Sequence, residues 1–133
     1  MKIYEFKVRV RYSETDQMGV VYHGNYAQYF EMGRVEWLRN IGVSYKSMED
    51  NGVMLPVVSL SMNYKKPARY DDLLRVKTIF KSQTSVKIEF DYEIYNEQDE
   101  LLTIGNSVLV FVNMKTGRPM AAPEYIKDKL LGI

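Results

Sequence analysis

The sequence predicts an α+β fold, a curled antiparallel sheet of about five strands wrapped around one long central helix. Residues 3–12 alternate apolar and charged side chains, with the period of a half-buried strand. Residues 25–40 change to helical spacing and are apolar around most of the helix, so other structure must enclose it. Further strand patterns follow, and the chain thus contains both parts of such a fold.

The later strands are predicted from segments rich in β-branched and aromatic residues, separated by polar turns. They cover residues 55–64, 73–81, 85–95 and 101–112. Short connections predict that they pair as antiparallel neighbours, and residues 123–131 are typical of a short amphipathic helix that caps the sheet. No repeat or linker interrupts the pattern, so residues 1–133 are expected to form a single domain.

Composition excludes several classes of function. A hydrophobic content of 46% is ample for one core, and 18 Lys and Arg balance 17 Asp and Glu, which argues against nucleic acid or anionic lipid as a partner. The absence of cysteine removes disulfides and thiolate chemistry and fits a reducing compartment. The first residues lack the apolar core of a signal peptide, and no apolar segment is long enough to span a bilayer. We therefore expect a cytoplasmic protein.

The loop 13–26, between the first strand and the long helix, contains the best candidates for catalytic residues. It contains Asp16, the only histidine (His23) and two glycines. The first N–H groups of a helix lack acceptors and carry the positive end of the helix dipole, so they can stabilise a carbonyl oxygen that gains charge. Gly24 leaves space for a ligand near the backbone, and His23 or Asn25 could cap the helix.

A carboxylate opposite a polarised carbonyl suits acyl transfer. Asp16 could attack to form a mixed anhydride, or act as the general base toward water, and the residues leave both routes open. Simpler interpretations stand beside these, since an aspartate before a glycine turn is often a turn former and a histidine near a helix start is often a cap. Glu14 could pair with Asp16, and Glu31 and Arg34 are spaced for an intrahelical ion pair.

The same loop resembles the signature of the 4-hydroxybenzoyl-CoA thioesterase family. The matching residues are Arg9-Val10, Thr15-Asp16, Gly19-Val20-Val21-Tyr22-His23 and Tyr26. The segments Phe30-Glu31, Arg34 and 64–72 are further similar to the acyl-CoA thioesterases of the Tol-Pal-associated, YbgC-like branch. The resemblance covers nearly the whole chain.

This resemblance implies a hotdog fold and hydrolysis of acyl-CoA, with Asp16 as the catalytic carboxylate. The backbone N–H of His23 would bind the thioester carbonyl, and the side chain of His23 would assist. The oxyanion and substrate-binding residues would be Tyr22, His23, Gly24, Gly19 and Tyr26. It also implies a homodimer joined edge to edge through its sheets, often paired into a homotetramer, with sites at the subunit interface. No metal or organic cofactor is expected.

Two other functions remain open. The chain could be a non-catalytic subunit that binds acyl-CoA or an acyl carrier protein, which predicts binding without release of thiol. Hydration or dehydration of an acyl thioester is a weaker alternative, because it would be expected to pair a histidine with a helical carboxylate in another arrangement. The sequence does not define the acyl group, since this depends on the depth of a tunnel between subunits.

Overall fold

The structure is a computed structural model, and it is described here for residues 2–133. Its main feature is a five-stranded antiparallel sheet with the strand order β1-β4-β5-β6-β3. The strands are β1 (Ile3–Arg9), β3 (Val57–Tyr64), β4 (Leu73–Thr84), β5 (Lys87–Tyr95) and β6 (Leu101–Val110). The predicted fold class is confirmed, with β1 and β3 at the two edges of the sheet.

Within residues 2–133, three α-helices and a small second sheet accompany the main sheet. The helices are α1 (Tyr26–Asn40), α2 (Tyr45–Asp50) and α3 (Glu124–Leu131), and the second sheet pairs β2 (Val53–Met54) with β7 (Val112–Asn113). The long helix begins within one residue of its predicted position. The sequence pattern did not indicate α2, which is only six residues long. It is capped at its N-terminus by Ser44, whose hydroxyl accepts a hydrogen bond from the Ser47 N–H (3.0 Å).

Some predicted boundaries and pairings are wrong. The first strand ends at Arg9 because residues Tyr12–Glu14 form a 3₁₀ turn, and β4 continues through residues 82–84, where a turn was expected. A bulge between Phe80 and Ser82 permits this extension, so the turn lies at residues 85–86. β3 and β4 are consecutive but not neighbours, since the connection 65–72 crosses to the other side of the sheet and β3 pairs with β6.

Helix α1 packs across the concave face of the sheet, and its aromatic side chains form the centre of the core. Phe30 stacks on Tyr92 with ring centroids 4.4 Å apart, and Trp37 packs against Phe80 and Phe90. Glycines allow the close approach of helix and sheet: a Cβ at Gly105 would overlap the Phe30 ring. Tight contacts therefore define the position of α1 on the sheet, and with it the position of the helix N-terminus.

Candidate active site

Residues 14–22 form a tight β-hairpin that enters the N-terminal end of α1. The Tyr22 N–H donates to the Glu14 carbonyl (2.9 Å), Thr15 pairs with Val21, and the Asp16 N–H donates to the Val20 carbonyl (2.9 Å). Asp16 therefore lies on one strand of the hairpin, and the other strand continues directly to the start of the helix.

The carboxylate of Asp16 is only partly used by its own loop. One oxygen, Oδ1, accepts a hydrogen bond from the Met18 N–H (2.9 Å), and the Asp16 carbonyl accepts one from the Gly19 N–H (2.9 Å). Gly19 adopts φ = +78°, the left-handed conformation that a three-residue hairpin loop requires at this position. Among residues 2–133 no donor is within hydrogen-bonding distance of Oδ2, and Asp16 is half-exposed, so this oxygen is available for chemistry.

The start of the helix presents amide groups that are also available. Residues His23–Asn25 form a 3₁₀ turn that leads into α1, with the Asn25 N–H bonded to the Tyr22 carbonyl (2.9 Å). Within the described chain the N–H groups of His23 and Gly24 have no acceptor. These are the donors that a negatively charged oxygen would meet at a helix N-terminus.

The expected helix cap is not formed by a side chain. Asn25 is the residue at the cap position, but its amide nitrogen Nδ2 donates to the Glu14 carbonyl (2.8 Å) rather than serving the helix, and the His23 side chain does not cap it either. The prediction that His23 or Asn25 caps α1 is therefore wrong, because Asn25 binds the hairpin.

Aromatic rings surround His23. Its imidazole packs against the Tyr22 ring at a centroid distance of 4.4 Å, and its carbonyl accepts a hydrogen bond from the Tyr64 hydroxyl (3.1 Å). Tyr22 is 49% exposed and its ring lies where a Cβ at Gly24 would stand, 2.7 Å from a ring carbon. Gly24 thus provides space for a neighbouring side chain. Tyr64 lies in the segment 64–72 that resembles the family, but no sequence pattern indicated its contact with His23, 41 residues away.

A cleft of about 250 Å³ lies beside this turn. Its walls include His23, Tyr26 and Tyr64, and Lys65 and Lys66 are at its rim. Tyr26 is 3% exposed, and burial raises the pKa of its hydroxyl, which accepts a hydrogen bond from the Ala68 N–H (3.3 Å). A larger concavity, of about 520 Å³, is on the outer face of the sheet and contains none of the predicted site residues.

Glu14 connects the hairpin to the helix. It is 9% exposed, and its carboxylate oxygen Oε1 accepts hydrogen bonds from the Arg11 N–H (2.8 Å) and the Tyr29 hydroxyl (2.9 Å). Burial, followed by this hydrogen bond to Glu14, raises the pKa of Tyr29 far above its ordinary value, so Tyr29 remains the donor. Glu14 does not pair with Asp16 in these contacts.

The expected ion pair between Glu31 and Arg34 is not present. Glu31 is exposed, whereas Arg34 is 4% exposed and donates to the hydroxyl groups of Tyr45 (2.7 Å) and Tyr92 (3.0 Å). The Tyr92 hydroxyl also contacts the Ser107 hydroxyl (2.6 Å). Arg34 turns inward because three hydroxyl groups from α2, β5 and β6 provide a polar environment inside the core.

Comparison with known proteins identifies the family. Residues 10–130 match the model of the thioesterase-like superfamily. The chain is 32% identical over 124 residues to the acyl-CoA thioester hydrolase YbgC of Escherichia coli, covering 93% of this chain and 92% of that protein. The solved structure of a DHNA-CoA thioesterase from Staphylococcus aureus is 38% identical, has a TM-score of 0.91 and covers 96% of this chain and 86% of that one.

A more distant structure, 4-hydroxybenzoyl-CoA thioesterase in complex with 4-hydroxybenzoyl-CoA, shares the fold. It has a TM-score of 0.84 at 19% identity, with 96% of this chain and 98% of that chain covered. The chain belongs to the thioesterase-like superfamily and has the hotdog fold. Within that class it is a relative of the YbgC-like branch, as the motif in loop 13–26 predicts.

Other groups of residues add little to the site. In residues 2–133 there is no cluster of three or more histidine, cysteine, aspartate or glutamate residues that could hold a metal ion. No helix in the same part of the chain is both long enough and apolar enough to cross a membrane.

Proposed function

We propose that the chain hydrolyses acyl-CoA thioesters to a free carboxylic acid and coenzyme A, with Asp16 as the catalytic carboxylate. One observation carries the proposal: a free carboxylate oxygen is held on a hairpin that runs directly into a helix start with two unbonded amide groups. The relatives named as acyl-CoA thioesterases support the reaction class.

In the proposed reaction, the thioester carbonyl oxygen accepts hydrogen bonds from the N–H of His23 and of Gly24. These donors stabilise the charge that develops on this oxygen as the tetrahedral intermediate forms, and removal of one such donor typically slows turnover by about 10²–10³-fold. Asp16 either attacks the carbonyl carbon or takes the proton of the attacking water. Overall, water adds its oxygen to the acyl group and a proton to the thiolate of coenzyme A.

The predicted substrate contacts fit this arrangement to different degrees. Tyr22, His23 and Gly24 are exposed residues, so an acyl group can approach them. Tyr26 reaches the cleft with its ring, while its hydroxyl faces Ala68. Gly19 defines the hairpin turn that holds Asp16. We propose that Gly19 acts through this turn, and that the other residues contact the substrate directly.

The rim of the cleft suits the phosphates of coenzyme A. Lys65 has no carboxylate partner within 4 Å among residues 2–133, whereas Lys66 pairs with Glu100 (2.7 Å). A free ammonium group near the entrance can bind a phosphate without first breaking an ion pair. We expect Lys65→Ala to raise KM, and Lys66→Ala to have the smaller effect, in assays at low salt.

We also propose a homodimer formed through the edge strand β3. Its eight residues have no charged side chain, and Val57, Val58 and Leu60 are 43–57% exposed. The opposite edge, β1, has charged residues at alternate positions, which protect an edge against pairing. An uncharged, apolar edge strand is suited to pairing with its own copy, which would join two sheets into one.

Light scattering tests the assembly, since the chain has a mass of 15.6 kDa. A mass of twice this value supports the dimer, and four times this value supports the tetramer. Leu60→Lys should favour the monomer, whereas Lys7→Glu on the β1 edge should not change the mass. A wild-type monomer with full activity would contradict the proposed interface.

Release of thiol tests the function itself. A panel of aromatic and aliphatic acyl-CoA esters, measured with a thiol-reactive dye, should show turnover for at least one member, and acyl carrier protein thioesters belong in the same panel. Binding of acyl-CoA without release of thiol would favour the non-catalytic subunit instead. The lack of cysteine removes background from the protein and fits the proposed cytoplasmic location.

A further inference from the structure

Glu14 is a buried carboxylate that the proposed reaction does not use directly. Among residues 2–133 it has no ion-pair partner, and its oxygen Oε1 accepts two hydrogen bonds, from the Arg11 N–H and the Tyr29 hydroxyl. Burial of a carboxylate costs free energy unless hydrogen bonds compensate it. A simple turn before Asp16 would not require such a group, so its position calls for a reason.

The contacts of Glu14 join the three parts of the site. Its side chain binds the segment that follows the first strand, through the Arg11 N–H, and the first turn of α1, through Tyr29. Its carbonyl binds the Tyr22 N–H and the Asn25 side chain, which lie on either side of the turn with the free amide groups. Asp16 follows two residues later on the same hairpin strand.

We propose that Glu14 is a positioning residue: through Tyr29 its carboxylate fixes the hairpin with Asp16 relative to the amide end of α1. This inference rests on the proposed function. The carboxylate of Asp16 and the amide donors belong to different elements, and a displacement of about 1 Å between reacting groups can cost about 100-fold in rate. Because the Tyr29 hydroxyl keeps its proton, the link between hairpin and helix persists at neutral pH.

Steady-state kinetics of two Glu14 variants test the proposal. Glu14→Ala removes both side-chain hydrogen bonds and should lower kcat about tenfold to hundredfold. KM should change by less than about threefold, because the groups that contact the substrate remain in place. Glu14→Gln keeps an oxygen that can accept both hydrogen bonds, so its kcat should stay within about threefold of the wild type.

Tyr29→Phe provides a second variant that removes only the link to the helix. Its kcat should fall between those of the wild type and Glu14→Ala, and the double variant should be no slower than Glu14→Ala alone. Tyr92→Phe is the matched control: it also removes two buried hydrogen bonds, including one to Arg34 of α1, but none to the hairpin. It should lower thermal stability while kcat remains near that of the wild type.

Several results would overturn the inference. Wild-type kcat in Glu14→Ala, loss of rate in Glu14→Gln equal to that in Glu14→Ala, or an equal loss of rate in Tyr92→Phe would each remove the positioning role. If Glu14→Ala does not fold, Tyr29→Phe decides alone, and an unchanged kcat in that variant refutes the link. Failure of the proposed function is distinguishable, because then the wild-type protein itself would release no thiol.

Discussion

The contact between Gly105 and Phe30 fixes how close α1 lies to the sheet, and Gly105→Ala should disturb it. The new methyl group would overlap the ring of Phe30 and stand 3.0 Å from the Ser61 carbonyl oxygen. The ring cannot retreat, because it is fully buried and stacked on Tyr92 at 4.4 Å. Overpacking of this kind costs about 1–3 kcal/mol, and the rigid surroundings favour the upper end.

The expected net effect is smaller than the steric term. Alanine in a strand is about 0.5–1 kcal/mol better than glycine, which leaves a loss of about 2 kcal/mol in the free energy of unfolding. For a chain of this size the loss corresponds to a fall of about 6–10 °C in Tm. Urea denaturation followed by the fluorescence of the single tryptophan, Trp37, measures it, at one protein concentration for all variants.

Two further variants make the measurement specific. Gly132→Ala is the control, since its Cβ would be 3.6 Å from the nearest atom, and it should cost less than about 0.5 kcal/mol. Phe30→Leu provides space next to residue 105. The loss of unfolding free energy in the double variant should therefore be about 1 kcal/mol smaller than the sum of the losses in the two single variants. Strict additivity, or a loss in Gly105→Ala as small as that in Gly132→Ala, would refute the close contact.

Two further predictions concern the hairpin and the buried tyrosines. Gly19→Ala places a side chain at φ = +78° and should lower the free energy of unfolding by about 1–2 kcal/mol, with a fall in kcat. Gly19→Asn should be better tolerated. Equal stability of Gly19→Ala and the wild type in urea would contradict the left-handed turn. Burial raises the pKa values of Tyr26, Tyr29, Tyr45 and Tyr92 above their ordinary value, so the unfolded chain loses these protons first as pH rises. The free energy of unfolding should therefore be constant below about pH 10 and fall above it by about 1.4 kcal/mol per pH unit for each tyrosine. Tyr29→Phe should reduce this slope. A urea midpoint that does not change between about pH 9 and pH 11.5 would contradict the prediction.

The sequence predicted those parts of the fold that depend on periodicity. The alternation in β5 and the helical spacing in α1 are local patterns, and both elements begin within two residues of their predicted positions. The pairing of β3 with β6 depends on contacts between distant segments, and the short connection to β4 suggested the wrong neighbour. The polar residues 82–84 resembled a turn, although a bulge keeps them in the strand.

In the candidate site, too, local patterns were predictable from the sequence and contacts between distant segments were not. Loop 13–26 contains a recognisable motif, so Asp16 and the start of α1 could be placed from sequence alone. The motif does not show that Glu14 reaches Tyr29, or that Tyr64 contacts the carbonyl of His23, because these links depend on the packing of α1 and β3. For the same reason Arg34 was paired with Glu31, three residues away on its helix, whereas the fold gives it buried hydroxyl groups.

The proposed mechanism requires the free carboxylate oxygen of Asp16 to act on a thioester held at the start of α1. Asp16→Asn tests it most directly, because asparagine retains an oxygen that can accept the Met18 N–H, so the hairpin should keep its shape. At saturating acyl-CoA, release of thiol should fall by about 10²–10⁴-fold, while the melting temperature and molecular mass stay unchanged. A folded Asp16→Asn variant with near-wild-type kcat would exclude Asp16 from the reaction.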